Sequence, residues 1–446
     1  MSYTKQLVEF VLDTGYEGIP SEAFRLCKRH FLDCTGAALA EVNEIPGSII
    51  FNYVKELQCD GCARLIGFGL KTSIDNAVFA NGILAHAISF DDSGPSHPSV
   101  TIVPPLYALG EKYQLDGKQI LTAQVLAYEV FQKFNLVVND AWEIRERGWH
   151  PTGFFGAVTS SLIAAKLLNL TLEQSLNALG IAASMGAGLS RNIGNMTMSL
   201  HAGNASRNGI IAAILAKKGF TGDQDIIEGR YGLMNALAGA DNYDIEALVR
   251  NLGNPYSVID PGINLKPYPN CWGHHRVYDS MLYLVNTYDI KPEAVQSIWC
   301  DLQPQKPTYR YMQPKTDLEA KYSLGYGVAM CLLDRKLGIE QYSQERITDS
   351  KTYELMSKIK HIPRDVVSEK HKVTIKLNNG TVYSHSTEHS KGNALHNPLS
   401  DEELKEKYRN CARRVLPYDK IELSIKLIHE MHELSDITEI MDAVTV

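Results

Sequence analysis

The chain has 446 residues, 44% of them hydrophobic and 21% charged, with a formal net charge of −7. That length exceeds what one compact core usually serves, so two domains are expected. The charge balance gives no overall attraction to nucleic acid or to an anionic membrane, although a local basic cluster can still hold a small anion.

The N-terminal residues lack the basic start and apolar core of a signal peptide, and no apolar run reaches bilayer length, so a cytoplasmic protein is expected. Up to about residue 265 the pattern is almost wholly helical. Residues 21–41 carry Phe24, Cys27 and Phe31 at helical spacing, with Ser21 after Pro20 in the cap position. Cys59-Asp60-Gly61-Cys62 is a lone CxxC without a second pair at zinc-ribbon spacing, and it reads as a loop. Residues 153–169 and 204–218 are rich in small residues that let helix axes approach closely. Thr171 and Gln174 form a capping box opening a stretch to about Gly186, and Gly219 ends the 204–218 helix.

The texture changes after about residue 266. Residues 295–302 alternate weakly, as a strand does. A hairpin is clearer: Val373, Ile375 and Leu377 alternate with polar residues, Asn379-Gly380 makes the turn, and Val382 lies on the return strand. From about 401 the chain is helical again, with Ser400 as a cap and a second helix over 418–434. The expected fold is mainly α with a smaller α+β domain. Residues 1–265 form the all-helical part, completed by helices of 400–446, and residues 266–399 form the α+β part. The eight scattered cysteines do not suggest a disulfide framework, and Cys34 and Cys331 read as core.

Four histidine-bearing segments carry the chemistry. They are Ser96-His97-Pro98-Ser99, Trp149-His150-Pro151-Thr152, Leu200-His201-Ala202-Gly203-Asn204, and Lys266-Pro267-Tyr268-Pro269-Asn270-Cys271-Trp272-Gly273-His274-His275. Imidazole moves protons near neutral pH, and a neighbouring proline fixes the backbone that aims it. Repetition of this device suggests that proton-transfer groups are gathered into one cavity.

No phosphate loop, dinucleotide fingerprint or GxSxG elbow is present. His429-Glu430-Met431-His432 is one residue short of HExxH and reads as a solvated helix face. Adjacent His274 and His275 diverge and do not suit one metal. Neither a metal nor an organic cofactor is indicated. A site of His, Tyr, Lys and Cys alone suits removal of a proton next to a carboxylate, with Lys or Arg balancing the charge that builds there.

The sequence resembles the MmgE/PrpD family over nearly its whole length. The resemblance rests on Phe31-Leu32-Asp33-Cys34-Thr35-Gly36, on His86-Ala87-Ile88-Ser89-Phe90-Asp91-Asp92 with Ser93 and His97-Pro98-Ser99, and on His150-Pro151-Thr152-Gly153. It continues through Leu200-His201-Ala202-Gly203-Asn204-Ala205, Gly219-Phe220-Thr221-Gly222 and Glu228-Gly229-Arg230-Tyr231-Gly232. Lys266-Pro267-Tyr268-Pro269-Asn270-Cys271 with His275, Lys321-Tyr322-Ser323-Leu324-Gly325-Tyr326, and Asn397-Pro398-Leu399-Ser400 complete it. Members include 2-methylcitrate dehydratase, cis-aconitate decarboxylase and iminodisuccinate epimerase.

The resemblance implies an all-helical domain with an α+β lid, a homodimer, no required metal or cofactor, and a small anionic carboxylate as substrate. Carried over by position, the catalytic candidates are His97, His150, Cys271 and Tyr326. Lys266 and His275 also map to the site, while Asp91, Ser93 and His274 are neighbouring candidates for substrate contact, and Asp91 and Asp92 either orient His97 or cap the next helix. Two departures stand out. Ser89 occupies a position where the decarboxylase pattern has an aspartate, and Met198 one where it has a lysine. Arg191 and Arg207 flank that region as candidate replacement cations. The expected function is a lyase of the 2-methylcitrate dehydratase kind. An epimerase of the iminodisuccinate type or a cis-aconitate decarboxylase is the alternative, and a non-enzymatic binding protein a further one.

Overall fold

The computed structural model describes residues 2–94, 96–138, 141–240, 242–302, 312–363 and 371–446. They form two compact units, one of residues up to Ile263 together with Ser400–Val446, the other of Asn264–Leu399. The first unit opens with α1 (Tyr3–Asp13), α2 (Ser21–Glu41), α3 (Ile45–Glu56) and a small hairpin of β1 (Ala63–Arg64) and β2 (Lys71–Thr72). Next come α4 (Ile74–Ala87), α5 (Ser99–Tyr113), α6 (Gly117–Val137), α7 (Ala141–Glu146) and α8 (Pro151–Leu167). They are followed by α9 (Leu172–Met185), α10 (Thr197–Lys217) and α11 (Leu233–Ala238). The second unit holds α12 (His275–Thr287), β3 (Val295–Leu302), α13 (Asp317–Lys321), α14 (Leu324–Asp334), α15 (Gln344–Thr348) and α16 (Ser350–Ser357). It ends with β4 (Ile359–Pro363), β5 (His371–Leu377) and β6 (Val382–Thr387). Helices α17 (Asp401–Ala412), α18 (Tyr418–His429) and α19 (Thr438–Ala443) return to the first unit. The mainly helical fold with a smaller α+β part agrees with the sequence reading. Among the described residues no helix is long and apolar enough to cross a membrane.

Local signals account for most helix boundaries. Thr171 and Ser400 each close a reciprocal capping box, with Gln174 and Glu403 respectively. Ser21 differs from expectation: it is the first helical residue of α2, and Pro20 occupies the cap position without a side-chain hydrogen bond. Helix α10 starts seven residues before the expected position 204, so His201 is helical and not in a loop.

Small residues set the spacing of the helices around the histidines. A Cβ on Gly203 of α10 would lie 2.4 Å from the Phe79 carbonyl oxygen of α4, so these helices meet backbone to backbone. Helix α5 contains Pro104 and Pro105, which lack the N–H groups that Val100 and Thr101 carbonyls need. Neighbouring helices supply them. Ser160 Oγ of α8 donates to the Thr101 carbonyl at 2.7 Å, and Ser206 Oγ of α10 donates to the Val100 carbonyl at 3.4 Å. The same serines and glycines that permit close approach thereby fix α8 and α10 against α5.

In the second unit the strand order is β4-β3-β5-β6, with β3 and β4 parallel and the remaining pairs antiparallel. Gly380 takes the positive φ, 89°, that the β5–β6 turn requires. Val373 and Ile375 face Cys300 and Ile298 across the sheet and join Tyr278, Met281 and Leu284 of α12 in one core.

Gly203→Ala should destabilise the protein by about 1–3 kcal/mol through overpacking against the Phe79 carbonyl. Gly18→Ala, where nothing lies within 4 Å, should stay within about 0.5 kcal/mol of the parent. Urea unfolding followed by circular dichroism measures both.

Candidate active site

The first unit builds its site from the end of α4. His86 occupies the last turn, and Ser89 leaves the helix in the left-handed region, with φ 57° and its N–H donating to the His86 carbonyl. Phe90, Asp91 and Asp92 follow, all buried. Lys407 of α17 holds this segment from behind. Its Nζ donates to the Phe90 carbonyl at 2.7 Å, lies 3.9 Å from the Phe90 ring centroid, and pairs with buried Asp33 at 2.6 Å. The C-terminal helices therefore anchor the segment that carries the aspartates.

The two aspartates have different jobs. Asp92 accepts from the Ser99 N–H and hydroxyl at the start of α5, where unpaired helical N–H groups need an acceptor. Asp91 reaches two imidazoles: its Oδ2 lies 2.8 Å from His97 Nδ1 and 3.2 Å from His86 Nδ1. His97 Nδ1 also faces the Asp92 carbonyl at 2.9 Å. Two acceptors at one nitrogen place the proton on Nδ1, so Nε2 of His97 carries the lone pair. A carboxylate behind an imidazole fixes its tautomer and stabilises the imidazolium that forms when Nε2 takes a proton.

Helix α8 contributes the next ring. Pro151 stands at its first position, where the missing N–H costs nothing, and His150 precedes it as the cap residue. The His150 N–H donates to the Gly188 carbonyl at 3.0 Å, and Ser96 Oγ and Thr152 Oγ1 are 2.6 Å apart, tying the His97 loop to α8. His150 Nδ1 lies 3.0 Å from Nδ1 of His201 on α10. Gly188, at φ 153°, passes close over this pair, and a Cβ there would sit 3.1 Å from the His201 ring. Ring centroids separate by 4.7 Å for His86 and His97, 6.0 Å for His86 and His150, 6.5 Å for His97 and His150, and 5.2 Å for His150 and His201. Four imidazoles from three helices and one loop thus share a single place.

Burial pushes the His150 pKa well below the ordinary histidine value, and His86, Arg145, His97 and His201 push the same way. Burial and His86 push His201 down to about 4. Both rings are neutral at neutral pH. His86, Asp91 and His97 form a group whose ligand atoms lie within 4.8 Å of one another, the place where a divalent ion could be held. Binding there through Nδ1 would strip both imidazoles of the protons that now face Asp91.

The other expected residues are placed as follows. Ser93 is buried and its Oγ donates to the Gly94 carbonyl at 3.3 Å. Arg207 stacks over Phe79 at 4.7 Å and donates to Asn204 Oδ1, about two helical turns along α10 from His201. Arg191 is exposed on a short 3-10 turn, Ser190–Asn192. Met198 is buried one turn before His201.

Lys266, Cys271, His274, His275 and Tyr326 belong to the second unit. Lys266 is 1% exposed, on a segment held by the Leu265 N–H to the Gly392 carbonyl. Cys271 is half-buried and in no disulfide, and its N–H donates to the Lys321 carbonyl. His274 Nδ1 lies 3.1 Å from the Tyr278 hydroxyl, and the buried His275 ring sits among Tyr268, Trp272 and Tyr278. Tyr326 is fully buried in the core of this unit, with its hydroxyl donating to the Gln341 carbonyl. Burial raises its pKa far above the ordinary tyrosine value. That environment is a core tyrosine's.

Sequence reasoning missed His86 and Lys407, and it counted the His201 segment among the four expected to meet without giving His201 a role of its own. His86 lies five residues before Asp91 and was within reach. Lys407, 317 positions from Phe90, had no local signal.

Lys407→Met should cost about 3–5 kcal/mol at pH 8, because it leaves the Asp33 carboxylate buried without its cation. Burial already raises the Asp33 pKa. The deficit should therefore shrink as the pH falls and Asp33 takes up a proton, which denaturant melts at several pH values will show. The depressed histidines act in the opposite sense. Between about pH 6.5 and 4 the unfolded chain binds protons that folded His150 and His201 do not, so stability falls as the pH is lowered through that window. His150→Gln with His201→Gln should flatten that part of the profile.

Comparison with known proteins identifies the family. The MmgE/PrpD N-terminal domain matches residues 5–246, and the MmgE/PrpD C-terminal domain matches residues 268–433. Human cis-aconitate decarboxylase is 27% identical over 429 residues, covering 92% of this chain and 87% of the relative. The cis-aconitate decarboxylase of Aspergillus terreus is 24% identical over 480 residues, covering 98% and 95%. With matching domains over most of its length, the chain belongs to the MmgE/PrpD family.

Proposed function

We propose that this protein is a lyase that acts on a small di- or tricarboxylic acid by proton transfer at a carbon next to a carboxylate, using side chains alone. The observation that carries this reading is the Asp91 carboxylate behind Nδ1 of His97, at 2.8 Å, with the neutral His150 ring 6.5 Å away. An imidazole backed by a carboxylate is a base that stabilises its own protonated form. A neutral imidazole beside it serves as the second proton-transfer group. His97 is the base in this proposal and His150 its counterpart. Lys266 keeps the role of carboxylate clamp, Cys271 that of candidate acid, and His275 that of a substrate-binding residue. Tyr326 is dropped as the acid because its hydroxyl is committed to a backbone carbonyl in a hydrophobic core. The relatives named cis-aconitate decarboxylase support an unsaturated tricarboxylic acid as substrate. A cytoplasmic homodimer is part of the proposal.

Epimerisation is the second reading, favoured by Ser89 and buried Met198. The aspartate and lysine of the decarboxylase pattern are replaced by a small hydroxyl and an apolar group, while His97 and His150, which could add and remove a carbon-bound proton, are both present.

Purified protein should change the double-bond absorbance of cis-aconitate, 2-methylcitrate or citrate, or release carbon dioxide from the first. Silence on all three rejects the lyase, and solvent deuterium entering an acid without net conversion points to the epimerase. On the acid turned over, His97→Gln and Asp91→Asn should each lower kcat by roughly 10²–10⁴-fold with little change in KM.

A further inference from the structure

We propose that His201 is a proton-relay residue acting through His150, the two imidazoles forming a wire between the reacting carbon and the far nitrogen of His201. The inference deepens the proton-transfer reading above and rests on it for its chemical role. The pairing of the two rings stands on geometry alone.

The two Nδ1 atoms face each other at 3.0 Å, with ring centroids 5.2 Å apart and planes inclined by 56°. Two imidazole nitrogens at hydrogen-bond distance cannot both carry a proton, and two bare lone pairs would repel. The neutral pair therefore holds one N–H···N bond. Its consequence lies at the outer ends. The ring that donates through Nδ1 has a bare Nε2, and the ring that accepts through Nδ1 has a protonated Nε2. One end is always an acceptor and the other a donor.

The surroundings keep this state. His150 is 1% exposed and His201 6% exposed. The charged and titratable groups acting on His150 are His86, Arg145, His97 and His201, and His86 acts on His201. All of them oppose a positive charge on the pair. The contrast with His86 and His97, which share the Asp91 carboxylate, divides the cluster into a pair built to hold charge and a pair built to pass it on.

Transfer balances as follows. His150 gives its Nε2–H to the substrate after His97 has taken a proton from carbon, the Nδ1–H of His201 passes to His150 Nδ1, and His201 Nε2 takes a proton from solvent. Both rings end neutral with tautomers exchanged, and the reverse movement, in which His150 Nε2 takes up a proton and His201 Nε2 returns one to solvent, restores them. The wire therefore fits reactions in which one proton leaves the substrate and another returns within a turnover.

The test uses the full-length protein and three variants. Without any substrate, 15N-histidine NMR should show a coupling between the two Nδ1 nitrogens across their shared proton, and its absence overturns the pairing. On an acid that the parent turns over, His201→Ala and His201→Gln should lower kcat by roughly 30–1,000-fold with KM within about threefold. His201→Asn keeps a hydrogen-bonding group near the Nδ1 position but has no second ring nitrogen. If His201 relays protons, the asparagine variant is as slow as the alanine variant, and the solvent deuterium dependence of kcat changes from a curved, two-proton form to a linear one. Parent-like kcat in His201→Asn would mean that His201 only orients His150, and the relay falls. If no acid is turned over, the lyase reading fails separately, while the NMR coupling still decides whether the wire exists.

Discussion

A carboxylate withdrawn from water must find its compensation within hydrogen-bond reach, and Asp91 finds it in two imidazole N–H groups. Much of the site can be understood from that single requirement. It fixes the proton on Nδ1 of His86 and His97, and so leaves Nε2 of each as the basic nitrogen. It demands that the end of α4, the loop carrying His97 and the start of α5 keep their relative positions closely. Asp92 serves the second demand by capping α5, and Lys407 serves it by gripping the Phe90 carbonyl.

The close approach of the helices is the complementary constraint. Gly82 and Gly203 bring α4 and α10 together at their backbones, and Ser160 and Ser206 satisfy the carbonyls that Pro104 and Pro105 leave open. Larger side chains on these faces would hold the axes apart and carry His201 away from His150. The small-residue composition of α8 and α10 is thus a condition for the imidazoles to meet. It is a packing feature with a chemical result.

The parts of the fold readable in the sequence are those encoded within a few residues. The capping boxes at Thr171 and Ser400, the Asn379-Gly380 turn, and the alternation of Val373 and Ile375 all act locally. The start of α10 was misplaced because Met196 provides no side-chain cap, and the expectation began instead at the small residues after His201. Strand β4 went unread because its pairing with β3 joins segments about sixty positions apart. The chemistry divides the same way. The histidine segments announced themselves through motif, and an aspartate of the pair Asp91-Asp92 behind His97 was within reach of the sequence, whereas the pairing of His201 with His150 is set by helix packing. The helix bearing Tyr326 was legible, but the commitment of its hydroxyl to Gln341 was not.

Ser89 and Met198 take their meaning from this arrangement. Ser89 occupies the left-handed position that ends α4, and Met198 lies buried a turn from His201. Neither side chain brings a charge to the imidazole pairs. Proton transfer between neutral rings is what such surroundings favour. Neutron diffraction from deuterium-exchanged crystals at neutral pH tests this most directly. The account predicts deuterium on Nδ1 of His86 and His97, none on Nε2 of His97, and a single deuteron between His150 and His201. Deuterium on Nε2 of His97, with a bare Nδ1 facing Asp91, would contradict it.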